Sequence, residues 1–230
     1  WFDSQLGKSL VSFEQKTIEK QIKKVILELK GIFQNIVVIN DGSTDSTQEI
    51  LDSMDVINLK HCINLGQGAA ISTGFKYIEK IKDAYALITF DADGQHSLED
   101  AKKFATEIQN CDEDIIFGSR FEGKKENIPI LKRVVLSIVV FFTNKFSKTQ
   151  LTDAHNGLKA IKTCSLNKID ITIDGFGFES QIIHQVSKKQ IKYKEMPTNT
   201  IYTDYSKNKG QKLINGLIIL EDLFKSGGKN

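Results

Sequence analysis

Tyr85-Ala86-Leu87-Ile88-Thr89-Phe90 is an apolar run, and Asp91-Ala92-Asp93-Gly94-Gln95-His96 follows it directly. The β-branched and aromatic residues of the run predict a buried strand, so two carboxylates emerge at its carboxyl end. Ligands of open α/β sheets bind at that edge, and carboxylate oxygens suit Mg²⁺ or Mn²⁺. We therefore expect Asp91 and Asp93 to hold a metal-bound nucleotide diphosphate. The simpler interpretation is a polar turn that caps a helix starting near Ser97.

Strands and helices alternate on both sides of this stretch, in units of roughly 25–30 residues. The alternation predicts one α/β domain over residues 1–230, a Rossmann-like three-layer αβα sandwich with a mostly parallel central sheet. Residues 1–15 are an atypical start, because they form no clean strand pattern. Thr44 or Asp45 is expected to cap the helix that runs through 49–53. We predict strands at 36–39, 55–59, 85–90, 114–118 and 192–202, and further helices at 16–29, 69–81, 98–110, 130–146, 178–188 and 213–224.

Composition and charge exclude several classes of protein. Apolar residues make up 40% of the chain and charged residues 26%, which is ordinary for a globular protein. The net charge of +2 is too small to indicate nucleic-acid binding. The three cysteines lack metal-type spacing and indicate reduced thiols in the cytosol. The apolar run Val134–Phe142 is about half of the roughly 20 residues that span a bilayer. We expect a cytoplasmic protein without a signal peptide, in peripheral contact with the inner face of the membrane or with a membrane protein.

Six short motifs occur in a fixed order along the chain. They are Val38-Ile39-Asn40-Asp41-Gly42-Ser43-Thr44-Asp45, Asn64-Leu65-Gly66-Gln67-Gly68, Asp91 to His96, Gly118-Ser119-Arg120, Thr152-Asp153-Ala154-His155-Asn156-Gly157 and Tyr202-Thr203-Asp204-Tyr205-Ser206-Lys207-Asn208-Lys209-Gly210-Gln211. Together they resemble family 2 glycosyltransferases of the GT-A fold, and the resemblance covers nearly the whole chain. The likeness is greatest to the branch of dolichyl- and polyprenyl-phosphate sugar transferases and related bacterial polysaccharide enzymes.

The resemblance implies a nucleotide-sugar pocket built from several loops. Asp41 matches the aspartate that holds the nucleotide base, since a carboxylate can accept an N–H of uracil or guanine. The simpler role for Asp41 is a turn aspartate bonded to its own backbone. Lys207 and Lys209 match a loop that closes over the donor phosphates. The full set that the resemblance assigns to donor binding is Phe13, Asp41, Asn64, Gly68, Asp91, Ala92, Arg120, Lys207 and Lys209.

The resemblance also implies catalysis with Mg²⁺ or Mn²⁺. Asp91, Asp93 and Gln95 match the residues around the metal, and Asp93 is counted as catalytic as well. Breaking the sugar C1–O bond develops negative charge on a nucleoside diphosphate, and a bridging cation stabilises that charge. Arg120 is expected either to add positive charge near a phosphate or to form a structural salt bridge.

Asp153 matches an acidic residue near the acceptor and is the second expected catalytic residue, with His155 and Asn156 as donors beside it. In an inverting mechanism a carboxylate deprotonates a sugar hydroxyl as it attacks C1. A polyprenyl phosphate is already anionic and needs no base, in which case Asp153 positions the donor or the acceptor. The implied substrates are a UDP- or GDP-linked sugar and a polyprenyl phosphate or glycan acceptor.

Two stretches depart from the family pattern. The family's first strand usually ends in Pro-x-Tyr-Asn-Glu, whereas this chain has Ser12-Phe13-Glu14-Gln15 without the proline. Gly66-Gln67-Gly68 stands in place of Gly-Lys-Gly and removes one positive charge. The unusual start keeps open a second interpretation, a non-catalytic nucleotide-sugar-binding protein derived from the same fold.

Two other classes of enzyme are disfavoured. A sugar-1-phosphate nucleotidyltransferase needs a Gly-rich phosphate loop with a following Arg near its start, and residues 1–30 contain none. A processive cellulose- or hyaluronan-type synthase carries a Gln-x-x-Arg-Trp segment and membrane-spanning helices, which this sequence lacks. The resemblance therefore implies a metal-dependent inverting glycosyltransferase.

Overall fold

The computed structural model describes residues 8–12, 19–92, 95–122, 130–175 and 177–199, with backbone alone for 8–12, 19–20, 130–133 and 135. The strands are β1 (Lys8–Ser12), β2 (Ile36–Asn40), β3 (Ile57–Lys60), β4 (Ala86–Asp91), β5 (Ile115–Ser119), β6 (Lys159–Lys162) and β7 (Tyr193–Pro197). The helices are α1 (Glu19–Lys30), α2 (Thr47–Asp52), α3 (Gln67–Glu79), α4 (Leu98–Asn110), α5 (Ile130–Ser147) and α6 (Phe178–Lys188), with a 3₁₀ helix at Thr163–Lys168. Outside the described residues lie Phe13, Asp93, Lys207, Lys209 and the predicted helix 213–224.

A seven-stranded sheet in the order β3-β2-β1-β4-β6-β5-β7 forms the centre of the described fold. Its neighbouring strands are parallel except where β6 runs antiparallel between β4 and β5. The predicted mostly parallel sheet is therefore confirmed. Because β6 runs in the opposite direction, the residues that precede it lie at the same edge as the residues that follow β4 and β5.

β1 is a strand that the sequence pattern did not predict. Lys8–Ser12 pairs in parallel with β2 on one side and with β4 on the other, so it lies inside the sheet. Its sequence Lys-Ser-Leu-Val-Ser contains two apolar residues, which makes the pattern weak. Strand formation here depends on its neighbours in the sheet more than on local preference.

Helices cover both faces of the sheet. Val37 and Ile39 of β2 belong to a core cluster with residues of α3, α6 and the 3₁₀ helix. Ile36 and Val38 belong to a second cluster with residues of α1, α2 and α4. Because successive side chains of a strand point to opposite faces, β2 contributes to both halves of the core. The three-layer αβα arrangement is confirmed.

The sequence predicted N-cap residues for α2 and α4, and the structure agrees with one of the two predictions. Ser97 is the N-cap of α4, as expected, and its Oγ accepts the backbone N–H of Asp100. The predicted cap of α2 is wrong, because the helix begins at Thr47 and its N-cap is Ser46. Asp45 still contributes, since its Oδ1 accepts the backbone N–H of Thr47 over 3.1 Å.

Candidate active site

Asp91 ends β4 and lies at the carboxyl edge of the sheet. Its side chain is 26% exposed. His96 Nε2 donates to Oδ2 over 3.2 Å, and Gln67 Nε2 donates to Oδ1 over 3.3 Å. Both hydrogen bonds are longer than the usual length of about 2.9 Å. The carboxylate is therefore oriented by the protein but weakly held, so a ligand can replace either partner.

Neighbouring charges keep the Asp91 carboxyl ionised. Burial raises the pKa of Asp91, but the hydrogen bond and charge of His96, the charge of Lys159 and the hydrogen bond of Gln67 together hold that pKa below its ordinary value. The backbone of Gly157 lies so close that a Cβ there would overlap Asp91 Oδ2. Glycine at position 157 is therefore required for this segment to pack against the carboxylate.

The donors at this edge fit a hard divalent cation. No group of three His, Cys, Asp or Glu side chains that could hold a metal ion occurs among the described residues, which exclude Asp93. Mg²⁺ commonly takes one or two protein carboxylates and completes its shell with water and substrate phosphates. Asp91 meets part of that requirement, and Gln95 follows it on the same turn with a partly exposed side chain.

Two opposite charges are buried behind Asp91. Lys159 Nζ lies 2.7 Å and 2.6 Å from the two carboxylate oxygens of Glu179. Burial raises the pKa of Glu179, and the charge of Lys159 opposes that change without cancelling it. A small cavity between this pair and the sheet edge is lined by residues that include Gln67, Thr89, Asp91 and Gly157. Charged side chains therefore lie both at the sheet edge, where Asp91 is, and in the buried region behind it, where Lys159 and Glu179 are.

Arg120 and Asp153 form a bidentate ion pair. Arg120 Nε donates to Oδ2 of Asp153 over 2.6 Å, and Nη2 donates to Oδ1 over 2.8 Å. The side chain of Asp153 is 0% exposed, whereas that of Arg120 is 13% exposed. Burial raises the pKa of Asp153, but the charge and hydrogen bonds of Arg120 hold that pKa below its ordinary value. The salt bridge expected as one role of Arg120 is present, and its contact with a donor phosphate stays a prediction.

Glu195 of β7 holds the turn that carries Asp153. Its carboxylate oxygens accept the backbone N–H of Thr152 over 2.8 Å and 2.9 Å, and Oε1 accepts the N–H of Asp153 over 3.0 Å. His155 follows on the same turn, and burial lowers the pKa of its imidazole to about 4 despite the opposing charge of Asp153. His155 is therefore neutral at physiological pH.

Asp41 follows β2 and is 2% exposed. Its Oδ1 accepts the Nδ1–H of His61 over 2.7 Å and the backbone N–H of Leu65 over 2.9 Å. Its Oδ2 accepts the backbone N–H of Gly66 over 2.8 Å, and Nε2 of His61 lies 2.9 Å from Thr73 Oγ1. These partners are 20 to 25 residues from Asp41, so the interpretation as a turn aspartate bonded to its own backbone is wrong. Contact with a nucleotide base stays a prediction.

The two glycines at the start of α3 serve close packing. Gly66 has a φ of 102°, and a Cβ on Gly66 or Gly68 would overlap the backbone of residues 173–174. The N–H of Gly68 donates to the carbonyl of Asp174 over 2.8 Å. A donor contact of Gly68 stays a prediction, as do those of Asn64, which is exposed, and Ala92, which is buried.

Two segments connect these groups into one site. Gly66 bonds to Asp41, and the next residue, Gln67, bonds to Asp91. The segment 153–157 bonds to Arg120 at its start and packs against Asp91 at its end. The structure thus brings together described residues from five of the six motifs, namely Asp41, Gly66, Asp91, Arg120 and Asp153.

Several side chains of the site had no role in the sequence analysis, namely His61, Gln67, His96, Lys159, Glu179 and Glu195. His96 stands within the predicted metal turn, and its position was a usable signal. Lys159 was a second signal, because it is a lysine between the apolar residues Leu158 and Ala160. Glu179 and Glu195 carried no local signal, since acidic residues are common at the start of a helix and on an edge strand.

A family model for glycosyl transferase family 2 matches residues 12–176. This chain belongs to that family. It is a glycosyltransferase, and the resemblance expected from the six motifs is confirmed.

Relatives of known and unknown activity cover most of the chain. An uncharacterized protein of Methanocaldococcus jannaschii is 37% identical over 211 residues, which are 90% of this chain and 85% of that protein. The UDP-N-acetylglucosamine–dolichyl-phosphate N-acetylglucosaminyltransferase of Methanococcus voltae is 31% identical and covers 87% of this chain and 88% of its own length. The dolichol-phosphate mannosyltransferase of Pyrococcus furiosus is 27% identical over 91% of this chain and 59% of its own length.

The same fold occurs in a solved glycosyltransferase. Glucosyl-3-phosphoglycerate synthase of Mycobacterium tuberculosis, solved with Mn²⁺, UDP and phosphoglyceric acid, has a TM-score of 0.68 at 11% identity. The alignment covers 96% of this chain and 78% of that one. The expected GT-A fold is therefore confirmed.

Proposed function

We propose that this glycosyltransferase moves a sugar from a UDP- or GDP-linked donor to a polyprenyl phosphate, or to a glycan carried on such a lipid, with inversion at C1 and with Mg²⁺ or Mn²⁺. The observation that carries the proposal is the Asp91 carboxylate, which is partly exposed at the sheet edge and held by two long hydrogen bonds. The relatives named for transfer to dolichyl phosphate support the acceptor class. The structural neighbour with UDP and Mn²⁺ supports the donor class and the metal.

Each part of the site has a task in this reaction. Asp91, Asp93 and Gln95 would hold the cation, which supplies stabilisation of the negative charge that develops on the leaving nucleoside diphosphate. His96 and Gln67 keep the Asp91 carboxylate oriented before substrate binds. The close approach of Gly157 removes any side chain that would crowd Asp91.

The Arg120–Asp153 pair favours a phosphate over a sugar hydroxyl as the attacking group. Both oxygens of Asp153 are bonded to Arg120, and the low pKa of this carboxyl makes it a weak proton acceptor. A hydroxyl acceptor needs a base, whereas a polyprenyl phosphate is already anionic. Asp153 then acts by positioning Arg120, whose side chain is 13% exposed and would contact an anionic substrate.

α5 offers a surface for the membrane that contains such an acceptor. Val134, Ile138, Phe141 and Phe146 are 44–61% exposed on this helix, whereas Val139 is buried. None of the helices in the described part of the chain is long and apolar enough to cross a bilayer. Exposed apolar side chains on one helix can instead enter the lipid interface. The exposed apolar side chains of α5 support our proposal that the protein binds peripherally to the cytoplasmic face of the membrane.

The transfer reaction can be tested directly. Purified protein is incubated with a polyprenyl phosphate and a panel of UDP- and GDP-sugars, with Mn²⁺ or with EDTA, and glycosylated lipid is measured. Lipid product that depends on Mn²⁺ and is lost in Asp91→Asn, but not in the exposed control Asp112→Asn, is the expected result. Nucleotide binding without transfer to any lipid or glycan would instead support the non-catalytic interpretation. That interpretation rested on the unusual first segment, of which Lys8–Ser12 pairs inside the sheet while Phe13, Glu14 and Gln15 lie outside the described residues.

Membrane contact needs a separate test. Flotation with vesicles that contain anionic lipid should recover the wild type, and the double variant Ile138→Ser/Phe141→Ser should lose most of that binding. Leu27→Ser on α1 is the matched control, because Leu27 is 55% exposed on another helix. Equal flotation of all three proteins would exclude α5 as the contact surface, and no flotation of any of them would favour a membrane-protein partner.

A further inference from the structure

We propose that Asp41 and His61 make the donor site selective for a base with a single imide N–H, uracil or thymine, over guanine. The inference rests on the proposed function, because it takes Asp41 as the residue that contacts the base of a nucleotide sugar. What the structure adds is the number of acceptor positions that Asp41 has left.

Asp41 has one acceptor position available to a ligand. An ionised carboxylate offers about four lone-pair positions, two on each oxygen. Oδ1 accepts from His61 Nδ1 and from the N–H of Leu65, so both of its positions are filled. Oδ2 accepts from the N–H of Gly66, which is its one partner among the described residues. The position that remains is on Oδ2.

The bases differ in how many donors they present to a carboxylate. Uracil and thymine present one imide N–H between two carbonyl groups, which matches one free position. Guanine presents N1–H and an N2 amino group side by side, a pair that needs both oxygens of a carboxylate. Because Asp41 is 2% exposed, a guanine donor without an acceptor would also lack water. A buried donor without a partner weakens binding by roughly 10-fold or more.

His61 is the side chain that fills the second position on Oδ1. The other two donors to Asp41 are backbone N–H groups, which remain whatever the sequence of the segment. The imidazole is held at both ends, by Asp41 Oδ1 at 2.7 Å and by Thr73 Oγ1 at 2.9 Å. Nδ1 must carry the hydrogen, since an ionised carboxylate can only accept. Removing the imidazole would free one position on Oδ1 for the second donor of guanine.

The backbone around Asp41 keeps this arrangement in place. Gly42 has a φ of 68°, and a Cβ there would overlap the backbone of Ile63 and Asn64. The 61–66 segment therefore packs directly on the residue that follows Asp41. The carboxylate cannot turn its Oδ1 toward a ligand without giving up its hydrogen bonds to His61 and Leu65.

Nucleotide binding to the wild type tests the donor count without any acceptor substrate. Calorimetric titrations with UDP, IDP and GDP, each with Mn²⁺, compare one-donor and two-donor bases. Hypoxanthine in IDP has the size of a purine but lacks the N2 amino group of guanine. We expect UDP to bind most tightly and GDP to bind roughly 10-fold or more weakly than IDP. Equal affinity for IDP and GDP, or tighter binding of GDP than of UDP, would overturn the inference.

Variants of His61 test its part in the selection. His61→Leu removes the donor to Oδ1, whereas His61→Asn is the matched control because its amide nitrogen can replace Nδ1. The ratio of IDP to GDP affinity should fall below about threefold in His61→Leu and stay near the wild-type ratio in His61→Asn. Thr73→Val changes the other end of the imidazole and should also keep the ratio. An unchanged ratio in folded His61→Leu would refute the role of His61, and if that variant does not fold, the wild-type titrations decide.

Failure of this inference can be told from failure of the proposed function. A preserved preference for IDP over GDP, with no sugar transfer to any acceptor, would refute the transferase reaction and keep the base selection. Transfer to a lipid phosphate from a GDP-sugar with higher kcat/KM than from any UDP-sugar would refute the base selection alone. Absence of binding to all three nucleotides would refute both.

Discussion

Asp91 and Asp153 are two carboxylates of one site, and the protein holds them in opposite ways. Asp91 keeps 26% of its side chain exposed and has two hydrogen bonds of 3.2 Å and 3.3 Å. Asp153 is fully buried and has two hydrogen bonds of 2.6 Å and 2.8 Å to Arg120. Both have a pKa below the ordinary value, but the causes differ, a nearby histidine in one case and an arginine in the other.

The difference distinguishes a carboxylate that is available to a ligand from one whose acceptor positions are used within the protein. A carboxylate with short, charge-assisted bonds to the protein loses them when it binds a ligand, so binding there is costly. A carboxylate with long bonds and partial exposure exchanges them at little cost. The sequence motifs predicted a metal-binding role for Asp91 and a catalytic role for Asp153. The geometry leaves Asp91 available to a ligand, whereas both oxygens of Asp153 are bonded to Arg120.

The largest effect is expected from neutralising Asp153. Asp153→Asn leaves the Arg120 guanidinium in a mostly buried place without its counter-charge, so the free energy of unfolding should fall by about 3 kcal/mol. Asp91→Asn should change it by less than about 1 kcal/mol, because its bonds are long and partly exposed. Urea unfolding followed by circular dichroism measures both. Equal losses in the two variants would contradict the distinction between them.

A double-mutant cycle sharpens the same comparison by isolating the ion pair. Arg120→Met, Asp153→Asn and the double variant should give a coupling energy of about 2 kcal/mol, since each single variant leaves one polar group without its partner. Urea unfolding of the four proteins provides the cycle. Additive losses would mean that the two side chains stabilise the fold independently of each other.

His155 should make the free energy of unfolding of the protein depend on pH. Its folded-state pKa is lowered from 6.5 to about 4, so the folded protein does not take up the proton that the unfolded chain binds below pH 6.5. The stability is therefore complete above pH 6.5 and is lost as the pH falls toward 4, by about 3 kcal/mol. Unfolding free energies across this range, compared with His155→Asn, measure the effect. Asp153 acts in a lower window, because its pKa is depressed and its contribution is lost only below its ordinary value of 3.8.

The smallest effect is expected at Gln67. Its 3.3 Å bond to Asp91 is long, and Gln67→Leu should lower the free energy of unfolding by about 0.5 kcal/mol or less. The same urea experiment measures it. A loss above about 1.5 kcal/mol would show that Asp91 is held as firmly as an average buried group.

Local pattern was enough to predict most of the elements. The predicted bounds of α4 and α6, 98–110 and 178–188, agree with the structure because both are amphipathic and have clear ends. β1 was missed, since Lys8–Ser12 becomes a strand through pairing on both sides. β6 was not predicted either, because Lys-Ala-Ile-Lys is short and has only two apolar residues, and a local pattern carries no information about strand direction.

The site was predictable as a set of residues but not as a set of contacts. Asp91 was found from its place after a strand, and the structure puts it at the expected edge. The pairing of Arg120 with Asp153 joins residues 33 apart in sequence, and no local rule links them. The same holds for Asp41, whose partners are 20 to 25 residues away. These contacts depend on the path of the chain, which one sequence does not display.

The reversed direction of β6 also sets the order in which the site can form during synthesis. Thr89 bonds to Gly157 across 68 residues, and Arg120 bonds to Asp153 across 33. A nascent chain that ends before residue 150 has β1 to β5 but lacks Asp153, which bonds to Arg120, and Gly157, which packs against Asp91. Contacts this distant in sequence form late and slowly in folding. Assembly of the candidate active site therefore coincides with insertion of β6 into the sheet. A chain that ends before that strand can form much of the sheet but not the assembled site.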